Sequence, residues 1–192
     1  MKRISALIFS MNEYELVRKQ IKLLYPYVDE IVIIDSSTDK KQKRLMKSLE
    51  KKYKKVRVVW LPPLGIVEFF YKLGMNECRY EWILMLDSDE IPNKNLLKGL
   101  GKLMSDRYDG YKIFREEKIQ KFIYMIKFFK KSKVIPTGVL YVHGTLTSNK
   151  IKKLDETFKI IHTRSELSVK EERIRSEKYS LVEKFQIGYR ML

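Results

Sequence analysis

Residues 82–90 read Trp-Ile-Leu-Met-Leu-Asp-Ser-Asp-Glu, and this stretch decides the fold. Five apolar residues in a row fit a strand buried on both faces. The run ends in three carboxylates within four positions, Asp87, Asp89 and Glu90, and Pro92 then turns the chain. Acids at the carboxyl end of an interior parallel strand stand at the rim of the sheet, where open α/β folds bind ligands. Their mutual repulsion calls for a neutralising cation. Oxygen donors at this spacing suit Mg²⁺ or Mn²⁺, which often join carboxylates to the phosphates of a ligand. A plain helix-capping turn is the other reading of the same residues.

Upstream, three more short apolar runs, residues 4–9, 31–34 and 56–60, precede this one at a near-constant interval. The segments between them have helical character. Short apolar runs alternating with helices mean βαβ units and a parallel sheet with right-handed crossovers. Asn12 with Glu15 has the spacing of a capping box, so the first helix is expected to start there. Val17, Ile21 and Leu24 share one face of it, and Pro26 ends it. The second run ends in the polar loop Asp35-Ser36-Ser37-Thr38-Asp39, at the same rim as Asp87. The next helix is dense in Lys and Arg. Such a run reads first as a solvated face and second as a docking surface for anionic lipid.

Downstream, helices are expected over residues 66–79 and 93–105, and a strand over 110–115. Residues 118–133 mix Ile119, Phe122, Ile123, Ile126 and Phe129 with six lysines at helical spacing. That pattern predicts a helix, either lying in a membrane interface or facing the core with snorkelling lysines. Residues 139–142 and 158–161 read as short strands, each followed by a histidine. Ser168 with Glu171 opens a last helix.

The chain of 192 residues is expected to form a single domain. No apolar run is long enough to span a bilayer. Residues 1–9 are too short in apolar content for a signal peptide and read as a strand. The lone Cys78 excludes an internal disulfide and a multi-cysteine zinc site. A cytoplasmic location is expected, with peripheral contact on the cytoplasmic membrane face. The formal net charge of +16 asks for an anionic partner: nucleic acid, acidic membrane or a phosphorylated small molecule.

Polar strand ends at Asn12-Glu13, Asp35 to Asp39 and Asp87 to Glu90 can face one crevice, an arrangement shaped for a nucleotide. The first loop has no glycine-rich fingerprint and the chain has no phosphate-cradling Gly-Lys loop, so phosphate is expected to be held by metal. Together, the Asn-Glu after the first strand, Val-Asp-Glu-Ile-Val-Ile-Ile-Asp-Ser-Ser-Thr-Asp over residues 28–39 and the acidic stretch at 82–90 resemble family 2 glycosyltransferases of the GT-A fold. The resemblance is good over residues 4–105 and looser beyond.

It implies an α/β fold with a doubly wound, mostly parallel central sheet and helices on both faces, residues 1–105 forming a nucleotide-binding half and 106–192 an acceptor-side half. It also implies inverting transfer of a sugar from a nucleotide-diphosphate donor to a glycan, lipid-linked or protein acceptor. By the resemblance, Asn12, Glu13, Asp35 and Asp39 line the base and ribose pocket. Asp87 and Asp89 form the Asp-x-Asp motif, Asp87 nearer the ribose and Asp89 the better ligand. His162 completes the site for Mn²⁺ or Mg²⁺, and Lys72 or Arg164 helps stabilise the leaving diphosphate. The family's His-Glu is replaced by His143-Gly144, which leaves the acceptor-activating base to be found elsewhere. Asp155 is the expected base, with Glu156, Glu116 and Glu117 as alternatives. The rival reading is a basic nucleic-acid binder or a metal-dependent nuclease, although no nucleic-acid motif is present.

Overall fold

The computed structural model describes residues 3–63, 70–116, 123–137 and 145–163. The first half alternates as expected: β1 (Ile4–Ser10), α1 (Tyr14–Leu24), β2 (Glu30–Asp35), α2 (Lys40–Lys52), β3 (Val56–Trp60), α3 (Tyr71–Glu77) and β4 (Trp82–Asp87). There follow β5 (Glu90–Pro92), α4 (Lys94–Leu103), β6 (Gly110–Glu116), β7 (Ile123–Lys130), β8 (Ile135–Thr137), β9 (Thr145–Thr147), β10 (Ile151–Lys153) and β11 (Lys159–His162).

The main sheet runs β3-β2-β1-β4-β7-β6-β11-β5, with β10 beside β6. Its first four strands are mutually parallel, whereas β7 is antiparallel to both β4 and β6. All residues of β1 and β2 are buried, which explains why these runs show no alternation. Apolar faces of α1, α2 and α4 cover one side of the sheet, and Tyr71 and Met75 of α3 cover the other. The architecture is α/β with helices on both faces, as expected.

Because β5 follows β4 after a two-residue turn yet pairs with β11 at the far end of the path, the second half of the sheet curls back on itself. Trp82, Phe128 and Tyr111 stack across β4, β7 and β6, with ring centroids 4.8 Å apart for the first pair and 6.3 Å for the second. The Tyr111 hydroxyl donates to the Leu103 carbonyl at 2.7 Å and ties the end of α4 to this stack.

Several expectations are corrected. The helix expected over 118–133 is, for its described part, the strand β7. Its residues are β-branched and aromatic, and two waiting strand edges decide the outcome over a helical spacing that is ambiguous in so short a run. The interfacial helix is therefore absent from residues 123–130. Asn12 does not cap α1: the cap position is Glu13, whose side chain makes no capping hydrogen bond to the helix. Of the helix expected over 66–79, Tyr71–Glu77 is helical and residues 66–69 lie outside the described residues. The strand at 139–142 and the last helix lie outside them as well.

Two glycines should respond in opposite directions. A Cβ at Gly110 would lie 2.8 Å from Phe129 Cβ and 3.1 Å from the Phe128 carbonyl oxygen, whereas one at Gly101 in α4 meets nothing within 4 Å. In urea unfolding, Gly110→Ala is expected to destabilise by about 1–3 kcal/mol. Gly101→Ala is expected to stabilise by about 0.5–1 kcal/mol.

Candidate active site

Parallel registry brings the polar strand ends together. Ser10 of β1 is paired with Asp35 of β2, Phe9 with Asp87 of β4, and Asp35 with Trp60 of β3. Loop contacts then lock the corner. Asn12 takes a left-handed backbone, φ 60°, which asparagine tolerates better than most residues. Its amide donates to Ser37 Oγ at 2.7 Å, and its Oδ1 accepts from the amides of Thr38 and Asp39 at 3.0 and 3.1 Å. Asp39 caps α2 by accepting from the Gln42 amide at 2.7 Å. These two residues shape the corner through the loops they fasten.

Asp35 is fully buried. One oxygen accepts from Ser37 Oγ at 2.8 Å, and the other has no hydrogen-bond partner among the described residues. Burial pushes its carboxyl above the ordinary aspartate range, against the pull of Ser37.

The acidic turn is pinned from three sides. Ser88 donates to the Glu13 carboxylate. Gln20 on α1 donates to the carbonyls of Asp87 and Glu90 at 2.7 and 2.5 Å. Thr163 donates to the Asp89 carbonyl through its amide at 2.7 Å and its hydroxyl at 2.9 Å.

The neutralising cation that the sequence called for is supplied, in part, by the protein itself. Lys127 of β7 has its Nζ 2.6 Å from Glu90 Oε2 and 3.3 Å from Asp87 Oδ2, and Arg115 Nε lies 3.1 Å from Glu90 Oε1. Among the described residues, Lys127 and Arg115 set two cations against the three carboxylates of the turn, Asp87, Asp89 and Glu90. Burial opposes the charge on Lys127, but Asp87 and Glu90 outweigh it and hold the ammonium well above the ordinary lysine value. Burial pushes Glu90 up, while Lys127 pulls it down, Asp87 raises it further and Arg115 lowers it. With two cations in contact, the glutamate anion is the state consistent with the geometry at neutral pH.

Asp89 faces the other way. Its Oδ2 lies 3.0 Å from His162 Nε2 at the end of β11. Burial opposes the Asp89 anion, but the hydrogen bond and charge of His162, reinforced by Arg115, keep its carboxyl below the ordinary range. Among the described residues, no group of three His, Cys, Asp or Glu side chains is disposed to hold a metal. What fits a divalent ion is the Asp89–His162 pair, one carboxylate oxygen and one imidazole nitrogen, with the other positions left to a ligand's oxygens and water.

Other expected residues sit elsewhere. Lys72 is exposed on α3. Asp155 is an exposed turn residue whose Oδ1 accepts from the Thr157 amide at 3.0 Å and from the Thr157 hydroxyl. Those bonds lower its pKa, and it precedes β11, the end opposite His162. Glu156 is exposed in the same turn. Glu116 ends β6 in register with Ile161, one residue from His162, and pairs with Lys159 at 3.0 Å. Glu117, His143, Gly144 and Arg164 lie outside the described residues. Sequence reading missed Lys127, Arg115 and Gln20 as parts of the site. The available signals were a lysine inside an aromatic run and a glutamine on the apolar face of α1.

Comparison with known proteins bears on the family and the fold. The model of the Glycosyl transferase family 2 matches residues 5–158. An uncharacterized glycosyltransferase of Rickettsia bellii (strain RML369-C) is 30% identical over 116 residues, 58% of this chain and 37% of that protein. The match thus spans well under half of that relative. Among solved structures, the mannosyltransferase PcManGT from Pyrobaculum calidifontis, in complex with GDP-Man and Mn²⁺, superposes with a TM-score of 0.65 at 13% identity, covering 98% of this chain and 64% of that one. S. aureus TarS in complex with UDP-GlcNAc gives 0.63 at 16% identity, over 88% and 60%. At such identities the likeness is one of fold.

The buried Asp35 generates a pH-dependent prediction. A carboxyl whose folded pKa is raised favours the native state below its unfolded pKa, and that contribution is lost as pH rises through the folded value. Asp35→Asn is therefore expected to melt above wild type at about pH 7.5, with the difference shrinking toward about pH 4, as read by circular dichroism. A lower melting point for the variant at the higher pH would contradict this.

Proposed function

The chain belongs to glycosyl transferase family 2, and on that footing we propose that it moves a sugar from a nucleoside-diphosphate donor to a hydroxyl of a glycan, lipid-linked or protein acceptor, with inversion and with Mn²⁺ or Mg²⁺. The observation that carries the reading is the acidic turn at the end of β4, pinned by three neighbouring elements and facing His162 through Asp89. Structures of the same fold that are complexes with GDP-Man and UDP-GlcNAc support a nucleotide-sugar donor.

In this reading the corner made by Asn12, Glu13, Asp35 and Asp39 receives the nucleoside, and Asp87, whose side chain is 32% exposed, accepts from a ribose hydroxyl. Asp89 and His162 would hold the ion. A bound Mn²⁺ or Mg²⁺ supplies Lewis-acid stabilisation of the departing diphosphate. The carboxylates of the turn suit a divalent ion whose excess charge the diphosphate balances.

Inversion needs a carboxylate to take the acceptor proton. Glu116, closing β6 in register with the residue before His162, meets that placement better than Asp155, which precedes β11 at the opposite end. Two-metal phosphodiester chemistry, the rival reading, wants several carboxylates open to ligation. Here Glu90 is engaged by Lys127 and Arg115.

The test is Asp89→Ala. With UDP- and GDP-sugars and Mn²⁺, release of UDP or GDP is expected to fall about 100-fold or more while circular dichroism still reports a folded chain. Chelation of the wild type should produce a loss of the same order. Undiminished turnover by the folded variant would remove Asp89 from the mechanism.

A further inference from the structure

We propose that Lys127 is the positioning residue of the acidic turn: fixed by Glu90, its ammonium holds Asp87 in the orientation that receives the donor. The assignment rests on the donor reading above and deepens it by giving a role to a residue on β7, the strand paired with β4.

Lysine is out of place at this position on packing grounds. The side chain is 1% exposed, and Ile126, Phe128 and Phe129 beside it are buried apolar residues. A position needing only packing would take Leu or Met, since lysine is almost never fully buried unless paired. The pairing is specific. Nζ binds Glu90, whose side chain is fully buried, and reaches Asp87, whose side chain is a third exposed. It therefore bridges an interior anion to a rim anion.

Glu90 completes the grip, because its Oε2 also accepts from the Asp87 amide at 3.0 Å. Asp87 is thus held at its backbone by Glu90 and at its carboxylate by Lys127. Without the ammonium, the two carboxylates would repel and Asp87 would swing toward solvent. The Lys127 ammonium meets Asp87 at the rim and Glu90 in the interior, so its effect on donor binding would pass through Asp87.

A structural role alone is separated from positioning by removing both buried charges together. Lys127→Met with Glu90→Gln leaves no uncompensated partner in that pair, and such neutral replacements are often tolerated. Wild type and variant are compared by thermal unfolding and by calorimetric titration with UDP and with GDP in the presence of Mn²⁺. The expected result is a melting point close to wild type with affinity weakened about tenfold or more. Lys127→Arg alone, which keeps a cation facing both acids, should recover most of the affinity.

Should the methionine variant fail to fold, Lys127→Gln with Glu90→Gln keeps a hydrogen bond in place and carries the same expectation. A folded double variant that binds like wild type overturns the positioning role and leaves the donor reading intact. Failure of both double variants to fold makes Lys127 a folding residue and also overturns it. A wild-type protein that binds neither nucleotide overturns the donor reading, and this assignment with it.

Discussion

The structure depends on a buried ion pair, Glu90 with Lys127, 2.6 Å apart at the seam where the sheet closes on itself. Transferring each ion from water costs several kcal/mol, on the order of what a small domain has to spare. Such a pair survives only where geometry brings both members into contact and hydrogen bonds meet their remaining atoms. The curl of the sheet provides that geometry. β5 leaves β4 through a two-residue turn, crosses to β11, and so presents Glu90 to Lys127 on β7 and Arg115 on β6. The turn between β4 and β5 is then held at a fixed angle, and Asp87 and Asp89 point in separate directions, one to Lys127 and one to His162.

Division of labour among the three acids follows from their surroundings. Glu90 is sealed and structural. Asp87 is shared between Lys127 and solvent. Asp89 is hydrogen-bonded to the His162 imidazole, and its carboxyl is held below the ordinary range. The same logic separates Asp35 from Asp39. Asp35 is buried with an unmatched oxygen, a cost to stability of the kind that functional corners carry, whereas Asp39 is an exposed helix cap.

The parallel half was legible in the sequence because its strands are buried on both faces and read as unbroken apolar runs. The rim acids were legible because charge at the end of such a run has few purely structural explanations. β7 reads as a helix because Ile123, Ile126 and Phe129 recur every three residues, while a strand whose buried residues run consecutively shows no alternation to oppose that spacing. What settles them as strand is the pairing with β4 and β6, a tertiary fact. β5 has only three residues, too few for any pattern. Lys127 was counted among surface lysines, since burial of a lysine depends on a partner 37 positions away. For Asp155 the sequence offered an acid near His162, but the strand between them puts the two at opposite ends.

The proposed function turns on a cation site to which the described residues would offer two donors, Asp89 and His162, in a turn whose other acids face Lys127 and Arg115. Binding of ion and nucleotide must then be mutually reinforcing, and the coupling is reciprocal by linkage. Calorimetric titration of Mn²⁺ into the wild-type chain, with and without saturating UDP or GDP, measures it directly. The account predicts weak uptake alone and an affinity raised by about tenfold or more with the nucleotide present. Equal affinity in both titrations, or no uptake even with nucleotide, would contradict it.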